Sequence, residues 1–122
     1  MSYTGSCFCG AIRFAVDGPL LGVISCHCLD CQKLSGNFNA LVVADKSAFT
    51  LEGEESMRWY DTSEASRRSF CTVCGTRLFK DKGTDKIIIS AGAFDPPVDL
   101  PNAKNIWTER KASWYELSPT EG

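Results

Sequence analysis

Hydrophobic side chains alternate with polar ones over several short stretches of this chain, a pattern typical of half-buried β-strands. Within residues 11–16, Ile12, Phe14 and Val16 recur at every second position and therefore share one face. An Asp-Gly-Pro sequence follows at residues 17–19 and predicts a turn that ends this strand. Similar stretches predict further strands at residues 22–25, 39–44, 48–51, 57–60, 67–70, 77–79, 87–91 and 113–117.

Helical periodicity is almost lacking in the sequence. Only residues 29–34, which precede Gly36, predict one or two helical turns. Many short strands without long helices predict an all-β fold, either a sheet sandwich or a partly open barrel. The length of 122 residues lies near the common domain size, so we expect a single domain over residues 1–122, with its core at 3–117 and a tail at 118–122.

Composition and charge narrow the class of protein. The chain is 43% hydrophobic and 23% charged, as in an ordinary soluble globular protein. Its longest apolar runs, at 40–44 and 87–89, fall far short of the ~20 residues that span a bilayer, and the first residues lack the features of a signal peptide. We therefore expect a cytoplasmic protein that does not bind membranes. A formal net charge of −2 without a basic block argues against general nucleic-acid binding.

All seven cysteines fall into three clusters, at residues 7–9, 26–31 and 71–74. Such spacings bring thiolates close enough to share one tetrahedral zinc ion. In a reducing compartment, clustered cysteines indicate metal or redox chemistry rather than disulfides. Seven ligands are enough for one closed site of four cysteines and one site of three cysteines, and we therefore expect two zinc ions.

The third cluster, Cys71 and Cys74 followed by Gly75, has the form of a zinc knuckle. A thioredoxin-like redox role would need an α/β pattern that the sequence lacks. A knuckle supplies two ligands, and Cys7 and Cys9 can supply two more because residues two apart on a predicted strand share a face. These four cysteines are therefore predicted to form a structural zinc site.

The middle cluster supplies Cys26, Cys28 and Cys31 from one short segment, and His27 decides how it is interpreted. If His27 is the fourth ligand, the site is closed and structural. In an extended chain, however, His27 faces away from its two cysteine neighbours. That favours an open zinc site, suited to holding a soft thiol as its fourth ligand.

Three segments of the chain carry a family resemblance: residues 5–14 (GSCFCGAIRF), 26–36 (CHCLDCQKLSG) and 70–79 (FCTVCGTRLF). In this order they resemble the glutathione-dependent formaldehyde-activating enzyme family, which includes the centromere-protein-V relatives, and the resemblance spans roughly residues 5–117. It implies a zinc-binding all-β fold of short antiparallel strands, a β-tent. It also implies a structural zinc on Cys7, Cys9, Cys71 and Cys74 and a catalytic-type zinc on Cys26, Cys28 and Cys31.

The open-site count and the resemblance together predict a zinc-dependent carbon–sulfur lyase that acts on a thiol–aldehyde adduct. The first substrates to consider are glutathione and formaldehyde, which combine into S-hydroxymethylglutathione. Lys33, Arg67 and Arg68 are the basic residues nearest the motifs and are candidates to contact carboxylates of the thiol ligand. The alternative is a non-enzymatic binding module in which both zinc sites are structural. The sequence does not predict the oligomeric state.

Overall fold

A computed structural model describes residues 2–120, which form short strands and one short α-helix, with Met1, Glu121 and Gly122 outside the described part. The helix α1 (Leu29–Ser35) lies between the third and fourth strands. Along the chain the strands are β1 (Ser2–Ser6), β2 (Arg13–Asp17), β3 (Val23–Cys26), β4 (Asn39–Asp45), β5 (Phe49–Glu52), β6 (Met57–Ser63), β7 (Ser66–Cys71), β8 (Arg77–Asp81), β9 (Lys86–Ser90) and β10 (Asn102–Ile106).

The strands form two sheets. The smaller sheet has the order β1-β2-β5, and the larger has the order β10-β3-β4-β9-β8-β7-β6. Neighbouring strands are antiparallel except for β10, which runs parallel to β3. The predicted all-β fold is confirmed. Within residues 2–120 no helix is long and apolar enough to cross a membrane.

The main core contains side chains from both sheets. Alternation along β2 buries Phe14 and Val16. The ring of Phe14 packs edge-to-face against Phe79 of β8 at 5.3 Å and against Phe94 at 5.2 Å. Ile12 and Ile89 are also fully buried in this cluster. Burial of these large apolar groups stabilises the arrangement of the two sheets.

The helix α1 confirms the helical turns predicted at residues 29–34. Its N-cap is Cys28, whose Sγ accepts a hydrogen bond from the backbone N–H of Cys31 at 3.3 Å. It ends at Gly36, which has φ 90° and donates its backbone N–H to the Gln32 carbonyl at 2.8 Å. The left-handed conformation favours glycine there. The middle cysteine cluster therefore spans the end of β3 and the first turn of α1.

Two strand predictions were wrong, and two strands were missed. Residues 113–117 are a turn and an irregular segment rather than a strand. There the ring of Tyr115 packs against His27, and the Tyr115 carbonyl accepts a hydrogen bond from Lys111 Nζ. Cys7 and Cys9 lie in a turn after β1 and not on a strand.

The missed strands are β1 and β10. The sequence of β10, Asn-Ala-Lys-Asn-Ile, shows little apolar alternation, and this edge strand is held by main-chain pairing with β3. Asn102 and Asn105 donate side-chain hydrogen bonds to the carbonyls of Pro119 and Ser118. The start of the predicted tail therefore has contacts with β10, while residues 121–122 of that tail lie outside the described residues.

Candidate metal centres

Four cysteines converge where the turn after β1 meets the turn between β7 and β8. Their sulfur atoms all lie within 4.8 Å of one another: Cys7, Cys9, Cys71 and Cys74. Each pair sits on a tight turn that ends at a glycine. Gly10 (φ 81°) donates its N–H to the Cys7 carbonyl at 3.1 Å, and Gly75 (φ 82°) does the same to Cys71 at 2.8 Å. The predicted grouping of these four residues is thus reached through turns rather than a strand face.

The sulfur spacing in this four-cysteine cluster fits a tetrahedral metal ion. The Cys9 Sγ lies 3.6 Å from Cys7 Sγ and 3.7 Å from Cys71 Sγ. Zinc–sulfur bonds of about 2.3 Å in a tetrahedron place the sulfurs about 3.8 Å apart. The Thr76 hydroxyl, with the Thr76 backbone, lowers the pKa of Cys74 to about 5. The number and spacing of these sulfurs therefore suit thiolate ligation of one metal ion.

The second cluster contains Cys26, Cys28 and Cys31, whose sulfurs also lie within 4.8 Å of one another. Cys26 ends β3, Cys28 caps α1, and Cys31 follows three residues later on the same helical face. Cys26 and Cys31 are buried, while Cys28 is partly exposed. Access from solvent to this three-cysteine cluster is therefore by way of Cys28.

A buried arginine touches the three-cysteine cluster. Arg68 is 6% exposed, and its Nη2 lies 3.5 Å from Cys31 Sγ, within donating distance. A hydrogen bond from Cys26, and then the bond and charge of Arg68, lower the pKa of Cys31 to about 5. As the donor of that first bond, Cys26 has a pKa raised well above the usual thiol range. Cys31 thus carries negative charge more readily than Cys26.

His27 does not belong to the three-cysteine cluster. His27 is 1% exposed, and its ring packs in a cluster with Phe38 (centroids 5.1 Å apart) and Tyr115 (5.9 Å), whose own centroids lie 5.4 Å apart. Within residues 2–120, neither imidazole nitrogen has a hydrogen-bond partner. The prediction that His27 faces away from the cysteines is confirmed, since the cluster contains Cys26, Cys28 and Cys31 without it and the backbone at Cys28 is still extended. The ligands that the protein offers at this cluster are therefore the three cysteines, without His27.

An open cleft of about 530 Å³ borders Cys28. Lys80 and Lys82 line it from the end of β8, and Trp107 and Arg110 line it from the segment after β10. Burial, and then the charge of Arg68, lower the pKa of Lys80. These cleft residues were missed in the sequence because no spacing pattern relates them to the cysteines.

The structure does not bring Lys33 or Arg67 to the cleft. Lys33 is exposed in the last turn of α1. Arg67 Nη2 lies 3.4 Å from a carboxylate oxygen of Asp81, and its guanidinium lies 4.2 Å from the centre of the Trp59 ring. Arg67 and Arg68 are neighbours on β7 and point to opposite faces. Of the three predicted basic residues, only Arg68 reaches a cysteine.

Comparison with known proteins agrees with this geometry. A curated protein of Halomonas elongata, named "Putative glutathione-dependent formaldehyde-activating enzyme", is 26% identical over 132 residues, covering 99% of this chain and 84% of its own. The crystal structure of a Rhodobacter sphaeroides protein has a similar fold, with TM-score 0.60, 22% identity, and coverage of 74% of this chain and 85% of its own. The family model for glutathione-dependent formaldehyde-activating enzymes matches residues 2–110. This chain therefore belongs to the glutathione-dependent formaldehyde-activating enzyme family.

Proposed function

We propose that this protein is a zinc-dependent carbon–sulfur lyase that acts on a thiol–aldehyde adduct, with glutathione and formaldehyde as the first pair to test. The observation that carries the proposal is the three-cysteine cluster beside an open cleft. Three donors are the number that catalytic zinc sites take from the protein, whereas structural sites take four. Family membership and the name of the Halomonas relative support the same chemistry.

The two clusters would have different roles. The four-cysteine cluster has a complete tetrahedral donor set and would hold a structural zinc. The three-cysteine cluster would hold the second zinc, which when bound supplies a position where a thiol is stabilised as its thiolate near neutral pH. Cys26 and Cys31 anchor that site in the interior, and Cys28 borders the cleft through which substrate enters.

The reaction is balanced without a further reactant. In the synthetic direction the thiol gives up its proton, its sulfur forms a bond to the carbonyl carbon of formaldehyde, and the proton ends on the carbonyl oxygen as a hydroxyl. In the lyase direction the carbon–sulfur bond of S-hydroxymethylglutathione breaks and the hydroxyl proton returns to sulfur. The enzyme lowers the barrier by orienting the thiol and stabilising its anionic sulfur.

Exchange spectroscopy tests the proposal directly. We expect zinc-loaded protein to accelerate the interconversion of ¹³C-labelled formaldehyde and its glutathione adduct, measured as exchange between their NMR signals. Thiols add to formaldehyde without a catalyst, so buffer containing the same free zinc is the control. An exchange rate equal to that control would contradict the lyase assignment and favour a binding module with two structural metals.

A further inference from the structure

The three-cysteine cluster and Arg68 form a charge-balanced unit. Three thiolates holding a divalent ion would leave one negative charge, which the Arg68 guanidinium, 3.5 Å from Cys31 Sγ, would neutralise. Arg68 forms no ion pair with a carboxylate among residues 2–120, and its buried Nε is unpartnered there. A buried guanidinium needs a counter-charge. The cysteines supply it, so the cluster does not repel an approaching anion as three uncompensated thiolates would.

The cleft beside this neutralised cluster is positively charged. Lys80, Lys82 and Arg110 line it, while Asp30 is the acidic residue in its lining. Lys80 is paired with Arg68 in the register of β7 and β8. Three cations against one carboxylate leave a surplus of two positive charges on a chain whose formal charge is −2. A concave surface with this surplus attracts anions.

The backbone is strained at the point where the chain enters the cleft. Trp107 has φ 56° and ψ 39°, a left-handed conformation that a tryptophan rarely adopts. Its carbonyl accepts a hydrogen bond from the backbone N–H of Arg110 at 3.0 Å, within the 3₁₀ turn Thr108–Arg110. Both side chains line the cleft. Strain of this kind is retained mainly where it serves a site, and here the turn brings Arg110 to the cleft.

We propose that Lys80, Lys82 and Arg110 form a carboxylate-recognition subsite, so that the cleft selects thiols that carry carboxylates. The proposal rests on the proposed function, since it assumes that the three-cysteine cluster receives the thiol. It assigns substrate selection to residues at the end of β8 and after β10 instead of Lys33 and Arg67. A tripeptide thiol with two carboxylates fits the charge surplus, whereas a neutral thiol of similar size gains nothing from it.

The test uses ligands that cannot coordinate through a thiolate. Binding of S-methylglutathione and of its dimethyl ester to the zinc-loaded protein is measured by isothermal titration calorimetry. We expect the diester to bind about tenfold more weakly, because it lacks the carboxylate charges. The double variant Lys82→Gln/Arg110→Gln should weaken the binding of S-methylglutathione about tenfold, while the diester, whose amino group makes it a cation, should bind no more weakly than to wild type. Both side chains are exposed, so the fold should persist.

A matched control removes the same two charge types elsewhere. Lys104→Gln/Arg58→Gln changes two exposed residues that do not line the cleft, and it should bind S-methylglutathione as wild type does. Equal binding of acid and diester by wild type, or equal weakening by both double variants, would overturn the subsite. Charge-selective binding without accelerated exchange would refute the lyase and keep the subsite. If exchange is accelerated as much with glutathione diester as with glutathione, the lyase assignment is kept and the carboxylate subsite is refuted.

Discussion

At the scale of single residues, Cys28 links the interior of the three-cysteine cluster to solvent. Cys28 is the N-cap of α1, where its Sγ accepts the Cys31 N–H, and the same residue lines the cleft. Cys26 and Cys31 are buried behind it. One side chain therefore contributes to local structure and to the proposed chemistry, and a substitution can separate the two.

Cys28→Ser should separate them. A serine hydroxyl can still cap the helix, but it is a far poorer metal donor than a thiolate. We expect native mass spectrometry to show one zinc per chain instead of two, and exchange NMR to show loss of the accelerated formaldehyde exchange. Cys74→Ser is the control at the other cluster. If Cys28→Ser retains two zinc ions and full acceleration, the three-cysteine cluster is not the reactive site.

A substitution of Arg68 should change metal binding at the three-cysteine cluster indirectly, through its contact with Cys31. Arg68→Met keeps much of the buried volume and removes the charge that faces Cys31. We expect zinc affinity at the three-cysteine cluster to fall by about tenfold or more, as for other groups that orient metal ligands. Competition with a chromophoric chelator measures it. Arg68→Lys should recover part of the affinity, and equal affinities for all three proteins would show that the charge does not matter.

At the scale of elements, the connection between β5 and β6 contacts the loop that precedes β2. Gly53 follows β5 with φ 86°, and a Cβ atom at this position would lie 2.0 Å from the carbonyl oxygen of Ala11. The backbone at Ala11 cannot move away freely, because the next residue, Ile12, is fully buried. This close approach requires glycine and holds the loop after the first cysteine pair against the core.

Gly53→Ala should therefore destabilise the protein by about 3 kcal/mol, combining backbone strain with a steric clash. Gly83→Ala is a matched control, since Gly83 also has positive φ (75°) but nothing lies within 4 Å of its added Cβ. The control should lose only about 1 kcal/mol. Chemical denaturation of the zinc-loaded proteins measures both. Equal losses would mean that the contact with Ala11 relaxes without penalty.

At the scale of the whole molecule, the four-cysteine cluster connects the two sheets. Cys7 follows β1 of the smaller sheet, and Cys71 ends β7 of the larger sheet. The two halves of the cluster lie more than sixty residues apart in sequence, as the 62-residue separation of Cys9 and Cys71 shows. A metal ion bound there would close a long loop and disfavour the unfolded chain.

Loss of the metal from the four-cysteine cluster should thus lower the free energy of unfolding more than loss of the metal from the three-cysteine cluster. We expect Cys9→Ser to lose at least about 3 kcal/mol, which lowers the melting temperature by about 10 °C or more. Cys28→Ser, whose cluster lies within one segment of six residues, should lose much less. Thermal unfolding followed by circular dichroism compares them. The reverse order of melting temperatures would contradict the role of the four-cysteine cluster as a link between the sheets.

Much of the candidate site follows from the sequence alone, because it depends on local geometry. Three cysteines within six residues converge wherever a strand passes into a helical turn. The same local rule turns His27 away, since neighbours on an extended chain face opposite sides. Short alternating stretches also indicated the all-β class. Those relations involve residues a few positions apart, and backbone periodicity determines them.

Tertiary structure decided the remainder, because it depends on pairing between distant strands. The register of β7 and β8 places Arg68 beside Lys80. Alternation along β7 directs the Arg68 side chain to Cys31, whereas the side chain of Arg67 faces Asp81. The parallel pairing of β10 with β3 carries Trp107 and Arg110 to the cleft. Strand register is set by packing of the whole core rather than by local spacing. The sequence alone therefore determined the candidate cysteine ligands, while the folded sheets determined which cations contact them or line the cleft beside them.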